Sequence, residues 1–224
     1  MVTISLPQMP CGAPNAVKLS DETKGRLRIF GQPVDMAAGD SMELNGACFV
    51  MSGSVKLWRT LPNGLEHITA FSYAGSLIFG QTKETEPLRI TALEKSLVIP
   101  VPASAFPAMH RDNAIWGDDF LNAATLQIAS LQMHAAMLAR MSACERVAAF
   151  LVSMAETGGR DKDNPSRVHL PMSRAEIGDH LGLTIETVSR CMTRLRNEKL
   201  LTCPARHEVL ILDADGLENF HERT

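Results

Sequence analysis

The sequence lacks any long hydrophobic run, although 45% of its 224 residues are hydrophobic. A helix that crosses a membrane needs roughly 18 or more consecutive apolar residues, and no stretch of this chain provides them. The N-terminus, MVTISLPQMPCGAPNAVK, has no basic start followed by an apolar segment, so we expect no secretory signal. These absences predict a cytoplasmic protein with no membrane partner and a packed core.

Cysteine is scarce and scattered, and no two cysteines have the C-x-x-C spacing of a zinc knuckle. The five cysteines are Cys11, Cys48, Cys144, Cys191 and Cys203. An odd, unclustered set is not typical of a disulfide framework, so we expect reduced thiols.

Positive charge is in slight deficit, with 22 basic and 25 acidic residues and a formal net charge of −3. That balance excludes a wholly basic nucleic-acid coat, but binding depends on where the charge is located. Residues 184–206 hold five Lys or Arg and two acidic residues, and five minus two gives a local charge of +3. The C-terminal part is therefore the candidate nucleic-acid surface.

The N-terminal half is predicted to be rich in β-strands. Residues 1–22 are rich in proline and small residues, so we expect them to be loosely ordered, and a short helix follows near 21–30. From residue 31 to about 101, short apolar stretches alternate with glycine turns, and Asn63-Gly64 indicates a hairpin. Regular short strands of this kind are typical of a small barrel or jelly roll.

The next segment, residues 112–141, has no proline and no glycine after Gly117, which predicts one long helix. Apolar residues recur along it at alternating steps of three and four, as in a two-stranded seam. These positions are Leu121, Ala124, Ile128, Leu131, Ala135 and Leu138. The pattern fits either a helix that packs on the β-domain or a dimer seam, and both interpretations stay open here.

The C-terminal segment has the signals of a winged helix-turn-helix. Ser173 and Glu176 form a capping box that starts one helix, and Gly182 permits a left-handed turn. Thr184 is a favourable N-cap for a second helix that runs to about residue 197. Two strands joined near residues 204–207 then form the wing. An ordinary helical hairpin is the alternative.

The second helix separates apolar from polar residues. Val188, Met192 and Leu195 share one face, whereas Glu186, Ser189 and Arg190 point elsewhere. Arginine suits guanine and phosphate, glutamate accepts a hydrogen bond from cytosine, and serine serves either base or phosphate. These three residues are the candidate base contacts, and Arg206 or His207 at the wing tip is a candidate phosphate contact.

The sequence therefore predicts an α+β fold in four parts. They are a loosely ordered N-terminus (1–22), a β-barrel or jelly-roll domain that resembles a sensor (23–111), a dimerisation helix (112–141) and a winged helix-turn-helix domain (142–224). This order resembles the CRP/FNR superfamily of bacterial transcription regulators, whose barrel is of the cyclic-nucleotide-binding type. The resemblance is carried by SGSVKLWRTLPNGLEHITAF and by MSRAEIGDHLGLTIETVSRCMTRLRNEKLL, and the second is most similar to the FNR and FixK branches.

The resemblance implies a homodimeric DNA-binding regulator, with activation as its usual mode, and not an enzyme. The E-x-x-S-R pattern of that branch lies at Glu186, Ser189 and Arg190, which implies a palindrome of TTGA-type half-sites. Ile185 stands where the cAMP-binding branch has an arginine before the glutamate. The phosphate contacts implied by the family fall on Arg174, Thr184 and Thr187. Contacts to RNA polymerase would lie at residues 82–86 and 158–167.

The resemblance also bears on cofactors, and we expect none to be bound. The segment AGSLIFGQTKETEPLRITAL lacks the Gly-Glu and Arg-Ser that clamp a cyclic nucleotide, and Pro87-Leu88 stand near the latter's place. The N-terminal cysteine cluster of an iron–sulfur site is absent. Haem is left open, with His67, Met109 and His110 as candidate ligands, so a regulator gated by a bound ligand is the alternative. A cupin-like enzyme is disfavoured, because no close H-x-H pair is present.

Cys191 directly follows Arg190, and nearby guanidinium charge favours a reactive thiolate. Oxidation there would add negative charge beside DNA and weaken binding, which makes Cys191 a redox candidate. A small apolar filler between helices is the other interpretation.

Overall fold

The computed structural model describes residues 19–80, 87–112, 114–159, 164 and 166–221. The predictions for Cys11, for residues 82–86, for half of the 158–167 loop and for residues 1–18 of the N-terminal segment lie outside the described residues. Within the described ranges, no helix combines the length and apolar character needed to cross a membrane.

Helix α1 (Asp21–Phe30) begins where the sequence predicts a short helix. The hydroxyl of Ser20 accepts a hydrogen bond from the amide of Thr23 and caps the helix. Both hydroxyls also donate to Asp119, at 2.8 Å from Ser20 and 2.5 Å from Thr23. The start of α1 is thereby fixed to the long helix described below.

Eight strands form two antiparallel sheets of four, with orders β1-β8-β3-β6 and β2-β7-β4-β5. The strands are β1 (Val34–Met36), β2 (Ser41–Glu43), β3 (Gly46–Ser52), β4 (Ser54–Thr60), β5 (Glu66–Tyr73), β6 (Leu77–Phe79), β7 (Arg89–Ala92) and β8 (Ser96–Pro102). Apolar residues of both sheets share one core. The two sheets do not close into a barrel, so of the two predicted forms the jelly roll is correct.

The predicted hairpin at Asn63-Gly64 is confirmed, and it joins β4 to β5. Gly64 has φ = 81°, a conformation that glycine adopts without strain. The Asn63 side chain accepts a hydrogen bond from the amide of Leu65 at 3.1 Å, which closes the turn.

The predicted long helix is α3 (Ala114–Arg140), 27 residues or about 40 Å long, and the shorter α2 (Phe106–Asp112) precedes it. One face of α3 packs on its own chain through Ala123, Ser130, His134 and Met137, all buried. The predicted seam lies on another face, where Leu121, Ile128 and Leu131 are 69%, 58% and 47% exposed. The helix therefore packs on the jelly roll and also presents an apolar stripe.

The C-terminal part is a small helical domain with a three-stranded sheet of order β10-β11-β9. Its elements are α4 (Ala143–Met154), β9 (Arg167–His169), α5 (Arg174–Leu181), α6 (Ile185–Asn197), β10 (Leu201–Ala205), β11 (Glu208–Ile211) and α7 (Ala214–Glu218). The predicted wing is confirmed as β10, a turn and β11.

Arg146 on α4 joins the ends of two other helices. Its guanidinium donates to the carbonyls of Leu138 at 2.8 Å and Leu181 at 3.1 Å. These carbonyls belong to the last turns of α3 and α5, where a helix leaves its carbonyl groups without internal partners. Charge-assisted hydrogen bonds at both ends fix the long helix relative to the helix-turn-helix.

The helix-turn-helix also docks on the β4–β5 hairpin. Lys56 Nζ lies 2.8 Å from Glu176 Oε1, and the amide of Ile68 donates to Asp179 Oδ2 at 2.7 Å. Tyr73 donates its hydroxyl to the carbonyl of His169 at 3.0 Å. Strands of the jelly roll thus set the orientation of α5, and through α5 that of the helix that follows it.

Candidate nucleic-acid interface

The turn between α5 and α6 is built as the sequence predicts. Ser173 and Glu176 form a reciprocal capping box at the start of α5. Gly182 ends the helix in the left-handed conformation, with φ = 65° and ψ = 38°. Gly178 is equally restricted, because a Cβ there would stand 2.6 Å from the carbonyl oxygen of Leu183. Small residues at both positions let the two helices approach closely.

Helix α6 is locked by its apolar face. Thr184 caps it by accepting a hydrogen bond from the amide of Thr187 at 3.2 Å. Val188, Met192 and Leu195 are buried against α4 and α5, as predicted from their spacing. The opposite face is consequently fixed toward solvent.

That exposed face carries Glu186, Ser189 and Arg190 together. Arg190 Nη2 donates to the hydroxyl of Thr187 at 3.1 Å, and the Ser189 hydroxyl donates to the Ile185 carbonyl at 2.8 Å. We call the three exposed residues Glu186, Ser189 and Arg190 the reading face. Its arrangement presents a carboxylate, a hydroxyl and a guanidinium within two turns of helix.

Glu186 is held in its charged form. A hydrogen bond from its own backbone amide lowers the pKa of its carboxyl group, and the Thr184 hydroxyl and the charge of Arg190 lower it further. At neutral pH the side chain is therefore an acceptor of hydrogen bonds, which is the property that contact with a cytosine amino group requires.

The candidate phosphate contacts lie at the starts of α5 and α6 and in the wing. Thr184 and Thr187 lie at the start of α6, with their hydroxyl oxygens 3.1 Å apart. Arg206 is exposed in the turn of the wing. His207 is directed away from the tip, because its Nδ1 lies 3.0 Å from the carbonyl oxygen of Leu170. Of the two wing-tip candidates, Arg206 is therefore the one free to extend outward.

Cys191 does not lie on the outward surface. The side chain is 2% exposed and packs in the core of the helix-turn-helix with Val188 and Leu195. Cys191 therefore fills the core between helices, which was one of the two interpretations of the sequence. The 100° step along the helix from Arg190 turns its side chain inward. Cys203 is more accessible, and its Sγ lies 3.8 Å from Arg174 Nη2.

The two arginines of the last turns of α6 differ in a way that the sequence did not reveal. Arg194 turns back onto its own domain, with Nε 3.1 Å from Glu198 Oε1 and the guanidinium 5.6 Å from the Phe220 ring. Arg196 instead lines a pocket together with Arg174. Helical spacing gives the pairing of Arg194 with Glu198, four residues on, but not its contact with Phe220 or the shared pocket of Arg196 and Arg174, because these partners lie on other segments.

Two of the candidate haem ligands, Met109 and His67, lie in different parts of the fold. Met109 is buried with Leu19 and Leu27 between α1 and the first sheet, whereas His67 on β5 lies 4.0 Å from Asp179 of α5. The side chain of His110 lies outside the described residues. Among the side chains that the structure does describe, no group of three His, Cys, Asp or Glu residues is arranged to hold a metal ion.

A jelly roll, a long helix and a winged helix-turn-helix with a charged outward face define a DNA-binding regulator. Residues 145–220 match the model of the Crp-like helix-turn-helix domain. The chain is 32% identical over 185 residues to the nitrogen fixation regulation protein FixK of Azorhizobium caulinodans, covering 80% of this chain and 73% of that protein. The chain belongs to the CRP/FNR superfamily, near its FNR and FixK branches.

One further relative agrees with this assignment, and one solved structure has the same fold. The transcriptional activator protein FnrA of Stutzerimonas stutzeri is 31% identical, and the match covers 75% of this chain and 69% of that protein. The solved structure of FixK2 from Bradyrhizobium japonicum superposes with a TM-score of 0.67 at 24% identity, covering 87% of this chain and 98% of that one. The structural match supports the fold.

Proposed function

We propose that the protein acts as a homodimer that binds a palindromic DNA site with TTGA-type half-sites and activates transcription there. The observation that carries this proposal is the reading face. Glu186, Ser189 and Arg190 stand together on a helix whose other face is locked into the core. A helix held in this way can enter the major groove with its N-terminal residues against base edges.

The assigned base contacts follow from side-chain chemistry, whereas the phosphate contacts of Arg174, Thr184 and Thr187 rest on the family resemblance. Arg190 is suited to guanine O6 and N7, and Glu186 to the cytosine amino group. Arg174, Thr184, Thr187 and Arg206 are assigned to phosphates, which position the protein without reading sequence.

The apolar stripe of α3 supports the proposed dimer. Leu121, Ile128 and Leu131 are exposed large apolar residues on one face of the helix, and the spacing matches a two-stranded seam. Large apolar side chains aligned in this way gain free energy when a second helix covers them. A two-fold dimer would present two reading faces, one to each half-site.

We also propose that the protein activates transcription, contacts RNA polymerase directly and works in the cytoplasm. They rest on family membership and on the naming of the relative FnrA as a transcriptional activator. We further propose that no cofactor is required, since the described candidate ligands His67 and Met109 lie in different parts of the fold.

Selection of DNA from a randomised duplex pool tests the proposed site. We expect the full-length protein to enrich inverted repeats that contain TTGA or a close relative of it. Enrichment of a single, non-repeated element would contradict the dimer, and no enrichment at moderate salt would contradict sequence-specific binding as a whole.

A further inference from the structure

A pocket of about 210 Å³ opens between the start of α5, helix α6 and strand β10. It brings together two arginines that stand 22 positions apart in the chain, Arg174 and Arg196. We call it the arginine pocket, and its lining residues are Arg174, Ser189, Met192, Thr193, Arg196 and Cys203. None of these lining residues is acidic, so the two positive charges have no counter-charge in the pocket wall.

Arg174 has donor capacity that the described protein atoms do not use. Its Nη1 atom is buried and lacks a hydrogen-bond partner among the described residues, while Nη2 contacts only the Cys203 sulfur, at 3.8 Å. A guanidinium carries five N–H donors, and an unpaired buried donor costs free energy. Arg174 lines the pocket, so an acceptor that enters it can pair with this guanidinium when the side chain turns to uncover Nη1.

Arg196 is the second donor, and its environment contrasts with that of Arg194. Arg194 is held by Glu198 and Phe220, whereas Arg196 is exposed at the edge of the pocket. Both hydroxyls of the pocket donate elsewhere, because Thr193 donates to the carbonyl of Ser189 at 3.0 Å and Ser189 donates to the carbonyl of Ile185 at 2.8 Å. The two guanidinium groups are therefore the donors that face the pocket, and planar arginine forks match the oxygens of a phosphate.

The position of the pocket identifies the source of the phosphate. Ser189 belongs both to the pocket wall and to the reading face. Arg196 follows it by seven residues, or about 10 Å along the helix axis. With the start of α6 against base edges, the arginine pocket adjoins the DNA backbone at the flank of the half-site.

We propose that Arg174 and Arg196 jointly hold one phosphodiester of the bound duplex in this pocket. The proposal deepens the proposed function and rests on it. Arg196 is then a DNA-positioning residue, and the pocket fixes the tilt of α6 in the groove without reading a base.

Salt dependence of DNA binding provides the first test. We expect Arg196→Ala to weaken binding about tenfold for every sequence, as expected when a hydrogen-bonded charge pair is removed. The slope of log affinity against log salt should become shallower by about 0.9 per half-site. Arg28→Ala, which removes an exposed arginine on α1, is the charge-matched control and should leave the slope unchanged. An unchanged slope in Arg196→Ala would overturn the proposal.

Single methylphosphonate substitutions in the duplex then locate the contact. Neutralising one flanking phosphate should weaken wild-type binding but have little further effect on Arg196→Ala or on Arg174→Ala. Additive losses of affinity at every phosphate, for both variants, would show that the two arginines share no phosphate and would refute the joint contact.

A thermal unfolding experiment with inorganic phosphate tests whether the arginine pocket holds a free anion or a phosphate of DNA. At constant ionic strength we expect inorganic phosphate to stabilise wild type and Arg196→Ala equally against heat. Stabilisation that saturates and disappears in Arg196→Ala, together with an unchanged DNA affinity in that variant, would assign the pocket to a free anion and overturn the DNA contact. These outcomes test the pocket alone. If the proposed function itself were wrong, the wild-type protein would show no sequence preference in DNA binding.

Discussion

The rings of His134 and His180 stack inside the protein, with centroids 4.3 Å apart and planes inclined by 17°. His134 belongs to α3 and His180 to α5, and Nδ1 of His180 lies 3.1 Å from the carbonyl oxygen of Ile68 on β5. The pair therefore stands where the long helix, the jelly roll and the helix-turn-helix meet. Burial, followed by the mutual charge of the two rings, lowers the pKa of His180 to about 3. Burial and the charge of His67 also lower the pKa of His134.

Stability is consequently expected to fall in mild acid. The ordinary pKa of these side chains is 6.5, so the unfolded chain takes up protons below that pH while His180 in the folded protein stays neutral down to about pH 3. The free energy of unfolding is unaffected above pH 6.5 and falls below it, by up to about 1.4 kcal/mol per pH unit from His180, and His134 adds to the loss in the same direction. The charged groups near the pair are His67, Arg146 and Asp179. Urea unfolding at pH 7.5 and 5.0 measures the change.

The control for this prediction is His180→Gln, which retains polarity but does not titrate. We expect the difference in stability between pH 7.5 and 5.0 to be smaller in the variant than in wild type. Equal pH dependence in the two proteins would exclude His180 as a source of acid sensitivity.

Replacement of Ile128 by aspartate tests the dimer seam. Ile128 is 58% exposed on the apolar stripe, so the variant should fold normally but place a charge inside the proposed interface. We expect monomers by sedimentation and at least tenfold weaker binding to a palindromic site. Asn122→Asp introduces the same charge at an exposed position on another face of α3 and should remain dimeric. A dimeric Ile128→Asp protein would place the interface elsewhere.

Two arginines should respond differently when replaced. Arg190→Ala is expected to lose about 1–3 kcal/mol of binding free energy and to relax base choice at one position of each half-site. Arg206→Ala should weaken binding to all sequences alike and reduce the salt slope by about one per wing contact. Selection from a randomised pool distinguishes them, and an unchanged selected sequence for Arg190→Ala would contradict its assignment.

The redox hypothesis for Cys191 stays a prediction, and the burial of its thiol sets the expected rate of oxidation. The thiol is 2% exposed, so peroxide reaches it only when α6 opens locally, and loss of DNA affinity should be slow. We expect the loss to be absent in Cys191→Ser and retained in Cys203→Ser, as measured by DNA affinity over a time course with peroxide. Equal loss in wild type and Cys191→Ser would remove Cys191 as the redox switch.

Local signals made much of this fold predictable. Ser173, Glu176 and Gly182 act on their own neighbours in the chain, so the helix-turn-helix followed from the sequence. The long-range contacts did not, because Lys56 and Glu176 are 120 positions apart and His180 and Ile68 are 112 apart. The same limit applies to the contact of Arg194 with Phe220 and to the pocket that Arg196 shares with Arg174, whereas the pair of Arg194 and Glu198 is local. The face of Cys191 was ambiguous for a related reason, since helical spacing placed it at the border between two faces.

The long helix α3 uses one face for its own jelly roll and leaves the other uncovered, which gives the proposed regulator a simple dose response. While most of the protein is monomeric, the concentration of dimer grows with the square of the total protein concentration. Doubling synthesis therefore raises the concentration of the DNA-competent dimer about fourfold. A cell that controls how much of this chain it makes would thereby control the promoters steeply, even with no small molecule bound.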